Sequence, residues 1–315
     1  MSDAAQDAGS WVTVPFTVHK EESGLRLDRF LALRLRKRSR SELQRLIAEG
    51  SVFLRGRPAK AAARIVPGET VSLRYPRREE PPCPHASLPV LYEDEDLLAI
   101  SKPAGILSHP TDRTVLNTAT AILKSQFPAL ALRLAHRLDR DTSGVLLLAK
   151  NAEAAKRLQR DFLRRRVQKE YLAVVGGRVP FKRLVVDLPI GREGLGIHVR
   201  QVVGKGAPAQ TEFVRLAASQ AHSLLLALPK TGRLHQIRCH LAFLGFPLLN
   251  ERLYGEDGGK LFLAELGAVR EPSSPRQMLH AHRLSLRHPM TGRDLSIEAP
   301  IPDDFQAVLA EHRIP

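Results

Sequence analysis

His136-Arg137-Leu138-Asp139-Arg140-Asp141-Thr142-Ser143-Gly144 runs straight into the apolar stretch Val145-Leu146-Leu147-Leu148-Ala149. Such a short apolar run, bounded by polar residues, predicts a buried strand. The Thr-Ser-Gly that precedes it has the composition of a tight turn. Asp139 therefore stands between two arginines, on a loop carried by a rigid element, which is a good mounting for a reactive side chain. Taken alone, the pattern fits an aspartate in an ion-pair network equally well.

Several chemistries use such a carboxylate. The His-Arg-Leu-Asp run is superficially similar to a kinase catalytic loop, but no glycine-rich phosphate loop precedes it and the Asn and DFG elements are missing. A metal-dependent nuclease needs several oxygen ligands. Asp139 and Asp141 offer two, and Arg137 and Arg140 oppose a cation beside them. A glycosidase needs paired carboxylates, and no clear second motif accompanies Asp139. His235, Cys239 and His240 fall within a stretch of helical spacing and lack a standard ligand set, so they are read as structural, and no metal is expected.

Outward from this motif, strand and helix signals are interleaved. Leu97 to Ile100, Tyr171 to Val175 and Leu224 to Leu228 are further strands. Asn151 caps a helix whose apolar stripe is Ala155, Leu158 and Phe162, with Arg157, Arg160, Arg164, Arg165 and Arg166 around it. His235 to Leu244 has helical spacing, stopped by Gly245. Nearer the start, Val12, Val14, Phe16 and Val18 alternate with polar residues as a short edge strand would. Leu27, Phe30, Leu31 and Leu35 recur at helical spacing. Ser39 and Glu42 form a capping box for a second helix with the stripe Leu43, Leu46 and Ile47. Val52 and Leu54, then Thr70 to Tyr75, are strands. The charged and proline-rich residues 77–88 read as a linker. The chain is thus an α+β protein, divided into an N-terminal extension (1–23), a small domain (24–76), the linker (77–88) and a large domain (89–315).

Composition bounds the partners. Of 315 residues, 48 are Lys or Arg and 33 are Asp or Glu, a net charge of +15. Residues 25–80 hold 15 of the basic and 6 of the acidic residues, or +9 of that excess. A solubilising surface is the plain reading of a basic chain, but concentrated charge suits a polyanion, through counterion release from phosphates. No apolar run is long enough to span a bilayer, no secretory signal is visible, and Cys83 and Cys239 form no CxxC pair. A cytoplasmic location is expected.

The motifs together resemble the RNA pseudouridine synthases of the RluA type. His136-Arg137-Leu138-Asp139 with Thr142-Ser143-Gly144 is similar to the family's central motif. Asp96 to Ile100 with Lys102-Pro103-Ala104-Gly105 and Ser108-His109-Pro110 resembles its opening strand and loop. Lys169-Glu170-Tyr171-Leu172-Ala173 resembles its tyrosine motif, and Thr231-Gly232-Arg233-Leu234-His235-Gln236-Ile237-Arg238 its arginine motif. Leu279-His280-Ala281 and His288-Pro289 match the C-terminal signature. The chain departs at Asn250-Glu251, where the family shows Gly-Asp before the Leu-Tyr-Gly element. The small domain, through Leu27-Asp28-Arg29-Phe30-Leu31, Ser39-Arg40-Ser41 and Gln44-Arg45-Leu46-Ile47, looks like the αL RNA-binding domain shared with a small-subunit ribosomal protein.

The resemblance implies a catalytic domain with a mixed, mainly antiparallel sheet flanked by helices and loops. It implies uridine isomerisation without a cofactor. Asp139 is then the catalytic carboxylate, Arg233 the guanidinium paired with it, and Tyr171 the ring on the extruded uracil, its hydroxyl helping to remove a proton. Arg137 would contact the RNA backbone or the gap left by the base, Arg238 a phosphate, and Leu279 would floor the pocket. Arg38, Arg40 and Arg45 would grip phosphates from the small domain. Ribosomal RNA or a ribosome precursor is the implied partner, and a monomer is expected.

Overall fold

The computed structural model describes residues 11–35, 40–76, 80, 83–111, 114–192, 200–255 and 275–315. It divides into two compact units, 1–79 and 80–315. Among the described residues no helix is long and apolar enough to cross a membrane.

In the first unit, β1 (Trp11–Thr17), α1 (Leu27–Arg34), α2 (Arg40–Ala48), β2 (Val52–Leu54), β3 (Arg57–Pro58) and β4 (Thr70–Pro76) follow in order. The strands form an antiparallel sheet in the order β1-β4-β2-β3. Leu27, Phe30 and Leu31 of α1 and Leu43 and Ile47 of α2 are buried together with Val52, Ile65, Val71 and Leu73. The Asp28 carboxylate, fully buried, is satisfied by Arg26, Gln44 and the Arg29 backbone N–H. Because β1 pairs with β4 along its whole length, the segment read as an N-terminal extension supplies a strand of this sheet. The capping residue Ser39 lies outside the described residues.

The second unit continues with β5 (Val90–Glu93), β6 (Leu97–Lys102), α3 (Ala119–Gln126), β7 (Arg133–Leu134), β8 (Ser143–Ala149), α4 (Ala152–Leu163), β9 (Gln168–Gly176), β10 (Arg183–Asp187), β11 (Ile190–Arg192), β12 (Gln201–Val203), β13 (Gln210–Ala218), β14 (His222–Pro229), α5 (Gln236–Phe243), β15 (Leu279–Arg287), β16 (Asp294–Glu298) and α6 (Asp303–Glu311). Its main sheet runs β10-β13-β14-β9-β15-β8-β6-β5, with β7 beside β8 and β16 beside β15. All of its pairings are antiparallel except β8 with β15. β11 and β12 form a separate ribbon.

Helices cover both faces. Leu146 and Leu148 of β8 pack with Ile122 and Leu123 of α3. Val145, Leu147 and Ala149 face the other way, onto Ala154 and Leu158 of α4. In β9, Ala173 and Val175 meet Ile237 and Leu241 of α5, and Leu172 and Val174 meet Phe305 of α6. A strand buried on both sides has no polar alternation, which explains the unbroken apolar run after Gly144. Part of the segment read as linker is also fastened here. The Glu80 carboxylate accepts from the backbone N–H groups of Val115, Leu116 and Asn117, and Leu88 is buried against α3.

Gly144 makes the parallel crossing possible. It has φ +114°, and a Cβ there would lie 2.1 Å from the Ala281 carbonyl oxygen. Only glycine fits both the conformation and the approach.

Candidate active site

The loop before β8 is held residue by residue. Ser108 Oγ accepts from the Leu138 N–H at 2.9 Å and donates to the Leu138 carbonyl at 2.8 Å. The buried Lys102 ammonium donates to the carbonyls of Pro103, Ile106 and Arg140 at 2.7, 2.9 and 3.0 Å. Arg276 donates to the Asp141 carbonyl, and Gln277 to the Thr142 hydroxyl. Ser143 Oγ bonds His280 Nδ1 at 2.9 Å. His136 Nε2 accepts from the Leu147 N–H while its ring stacks on Phe162. Asp139 is thus a partly exposed side chain on a backbone fixed on both sides of it, the kind of support a preorganised site requires.

The Asp139 carboxylate meets α5. Its Oδ2 accepts from Arg238 Nη1 at 3.2 Å. The far side of that guanidinium is forked by Glu251, with Nε to Oε2 at 2.8 Å and Nη2 to Oε1 at 2.7 Å. The Glu251 side chain is only 1% exposed, and it also accepts from the Leu253 N–H. A bidentate pair of this kind fixes the plane of the guanidinium as well as its position. His235 lies on the other side of Asp139, with Nε2 3.9 Å from Oδ2. It begins α5 in the left-handed conformation, φ 55°. The Tyr254 hydroxyl accepts from the Gln201 N–H at 3.0 Å and is hydrogen-bonded to His235 Nδ1 at 2.8 Å.

Burial opposes ionisation of Asp139, but the charge of His235 when that ring is protonated, the Arg238 charge and hydrogen bond, and Lys102 hold its carboxyl below the usual range. Burial pulls His235 itself down to about 4, against the pull of Asp139. The ring is therefore neutral at neutral pH, and the lasting positive charge at the site is Arg238.

Tyr171, near enough to Asp139 to feel its charge, lies at the seam of two cores. Tyr171 packs against both the α3 side and the α5 side of the sheet. Ala281 is its register partner across β9 and β15, and Leu279, buried, pairs with Ala173 two residues further along. Burial, and then the Asp139 charge, raise the Tyr171 phenol above its ordinary value, so it stays protonated at neutral pH.

The RNA pseudouridylate synthase family profile matches residues 96–243. A ribosomal large subunit pseudouridine synthase D of Nitrosomonas europaea is 37% identical over 315 residues, covering 98% of this chain and 90% of the relative. The chain belongs to the RNA pseudouridylate synthase family. A synthase D of Neisseria meningitidis is 35% identical, covering 99% of this chain and 85% of its own. The solved human RNA pseudouridylate synthase domain containing 4 superposes with a TM-score of 0.58 at 28% identity, over 72% of this chain and 94% of that one. The mixed, mostly antiparallel sheet is that of a pseudouridine synthase.

Within the synthase, Asp139, Tyr171, Leu279 and Arg238 come together, and Arg233 does not join them. Its side chain is exposed and its Nε donates to the Pro208 carbonyl at 3.0 Å. The partner of Asp139 is Arg238, which is buried at 7% exposure instead of reaching for phosphate. Arg238 takes the place beside Asp139 expected of Arg233, because the turn ends at His235. Residues 236–243 are helical, and Arg238 lies on the inner face of α5. His235, read as structural, borders Asp139, whereas His240 is structural, bonded to Thr211 and the Leu188 carbonyl. Asn250-Glu251 has a physical account: Asn250 has φ 61°, a conformation asparagine tolerates better than most residues, and Glu251 reaches Arg238. Arg137 is exposed, 3.5 Å from His109. In the first unit Arg45 is exposed near Glu49, while Arg38 and the Arg40 side chain lie outside the described residues.

One group of described residues has metal-ligand chemistry, Asp94, Asp96 and His288. Its atoms bond one another and the protein: His288 Nε2 and the Tyr92 hydroxyl donate to Asp94 Oδ2, and Asn151 donates to Asp96. It knits β5, β6 and the turn before β16, remote in sequence from the Asp139 motif.

Buried neutral histidines predict an acid-sensitive fold. His235 and the fully buried His280 are each lowered to about 4, chiefly by burial. In the unfolded chain they take up protons near pH 6.5, so protonation between 6.5 and 4 favours unfolding. Stability should fall by about 2–4 kcal/mol from pH 7 to pH 5. Urea midpoints at the two pH values check this, and an unchanged midpoint would contradict it.

Proposed function

We propose that the synthase converts uridines of large-subunit ribosomal RNA to pseudouridine, with Asp139 as the reacting carboxylate and no cofactor, acting as a cytoplasmic monomer. The observation that carries the reading is the Asp139 carboxylate on a guanidinium that Glu251 locks in place, with Tyr171 near enough to feel its charge. The ribosomal target draws support from the relatives, which are named ribosomal large subunit pseudouridine synthases D.

The reaction breaks the bond between ribose C1′ and N1, turns the base, and joins C1′ to C5. The C5 proton leaves and N1 gains one, so no electrons are exchanged with another molecule. The fixed carboxylate serves the charge that develops at the sugar or the base. Extruding the uridine costs a few kcal/mol, which stacking on Tyr171 over the Leu279 floor offsets. Because the Tyr171 hydroxyl is protonated, it can take the C5 proton only by passing its own on in the same step. The exposed Arg137 and Arg233 suit phosphates. The first unit, with two helices on a small sheet and Arg38, Arg40 and Arg45 on or beside α2, serves as an αL-type RNA grip.

Mapping pseudouridine in total RNA from cells with and without the protein tests this. Loss of one or more large-subunit positions is expected. Changes confined to transfer RNA would remove the ribosomal target, and no change at all would overturn the proposal.

A further inference from the structure

The end of α4 carries a dense basic ridge that the site does not use. Lys156, Arg160, Arg164, Arg165 and Arg166 are all exposed. Among the described residues, only Arg166 of these forms a salt bridge, with Asp161 at 3.6 Å. A helix C-terminus favours cations, so one or two arginines here would be unremarkable. The way the helix ends is less ordinary. The Arg165 N–H donates to the Phe162 carbonyl and the Arg166 N–H to the Asp161 carbonyl, the paired bonds of a helix stop that normally carries glycine in the left-handed position. Arg165 occupies that position with φ 58°. The chain thus keeps the middle one of three consecutive arginines where glycine would be less strained. Leu163, within the ridge, is 76% exposed, which a solubilising face does not explain.

Three links of chain and packing join the end of α4 to the elements that carry the site. Phe162 stacks on His136, three residues before Asp139. Val167 is buried and leads into β9, which carries Tyr171. Lys169 donates to the Thr231 carbonyl, in the loop that holds Lys230 and Arg233. No exposed aromatic ring lies among the ridge residues, so stacking of unpaired bases, the usual device of single-strand binding, has no platform here. Backbone phosphates of a helix are the better match.

We propose that Arg160, Arg164, Arg165 and Arg166 form a second RNA surface, gripping the phosphates of a double-helical segment that flanks the target uridine. The proposal rests on the RNA-modifying function above. Two variants test it, Arg165→Gly and the triple variant Arg160→Gln, Arg164→Gln, Arg165→Gly. Affinity is measured for a stem-loop RNA with uridines in its loop and for single-stranded oligouridylate. Tritium release from C5 of the stem-loop is followed in parallel. Arg165→Gly should raise Tm, by relieving the helix end, and yet weaken stem-loop binding. The triple variant should weaken stem-loop binding about tenfold, lower the salt slope by about 2 to 3, and change oligouridylate binding less than twofold, with kcat at saturating RNA unchanged. Stem-loop affinity equal to wild type, or an equal loss for both RNAs, overturns the ridge. Binding decides the ridge whether or not the protein releases tritium, so failure of the enzymatic reading appears separately, as absence of release from wild type.

Discussion

Arg238→Gln is expected to abolish pseudouridine formation and to destabilise the fold by about 3–5 kcal/mol, the usual result of breaking a buried ion pair from one side. Both effects follow from the position of one guanidinium between two carboxylates. Without it, Glu251 is a buried anion with no cation beside it. Asp139 loses its lasting positive neighbour, so burial pushes its carboxyl upward and away from the ionised form. The double variant Arg238→Gln, Glu251→Gln separates the effects, since removing both charges should recover most of the stability and none of the activity. Urea denaturation and tritium release measure the two. Recovery of activity in the double variant would mean that the guanidinium matters only as a counter-ion to Glu251.

Gly144→Ala is expected to be the most damaging glycine-to-alanine change among the described residues. The added carbon would sit 2.1 Å from the Ala281 oxygen and 2.6 Å from its carbonyl carbon. Backbone cannot rotate aside as a side chain can. β8 and β15 must separate, or residue 144 must leave φ +114° and carry the loop with it. A cost of about 3 kcal/mol or more is expected from strain and overpacking together. Function should suffer beyond stability, because Ala281 is the register partner of Tyr171 and Gly144 lies five residues after Asp139. The folded fraction should show a reduced kcat. A urea midpoint within 1 kcal/mol of wild type would contradict the account of this crossing.

These two residues differ in how far the sequence exposed their roles. The strands 97–100, 145–149 and 171–175 and the helix after Asn151 are local: each carries its own apolar pattern and turn chemistry, and each lies within an observed element. Asn151 caps α4 as expected, accepting from the Ala154 N–H at 2.8 Å. Long-range pairing was not legible. Nothing in Leu279-His280-Ala281 announces that it runs parallel to Ser143-Gly144, because register between distant strands depends on partners and not on local pattern. The opening strand of the first unit was legible as a strand but not as part of that unit's sheet, for the same reason.

The site was half visible. Asp139 and Tyr171 stood out through their motifs, but the choice between Arg233 and Arg238 depends on where a turn becomes a helix, and boundaries are the least determined feature of a sequence. His235 was missed because a histidine in a helical stretch is usually structural. Its left-handed backbone, which turns it toward Asp139, leaves no mark in composition. Glu251 stood out in the sequence only as a departure from the family pattern; that its carboxylate holds a buried guanidinium, that of Arg238, appears in the structure alone.

The central claim is that the Asp139 carboxylate acts on the uridine. Tritium release from C5-labelled substrate RNA by Asp139→Asn, at saturating RNA, measures this most directly. Glu251 still balances Arg238 in that variant, so the protein should fold and bind RNA as wild type does. Release should fall by at least about 10³-fold, the range for loss of an essential reacting group. Release within tenfold of wild type would contradict the account.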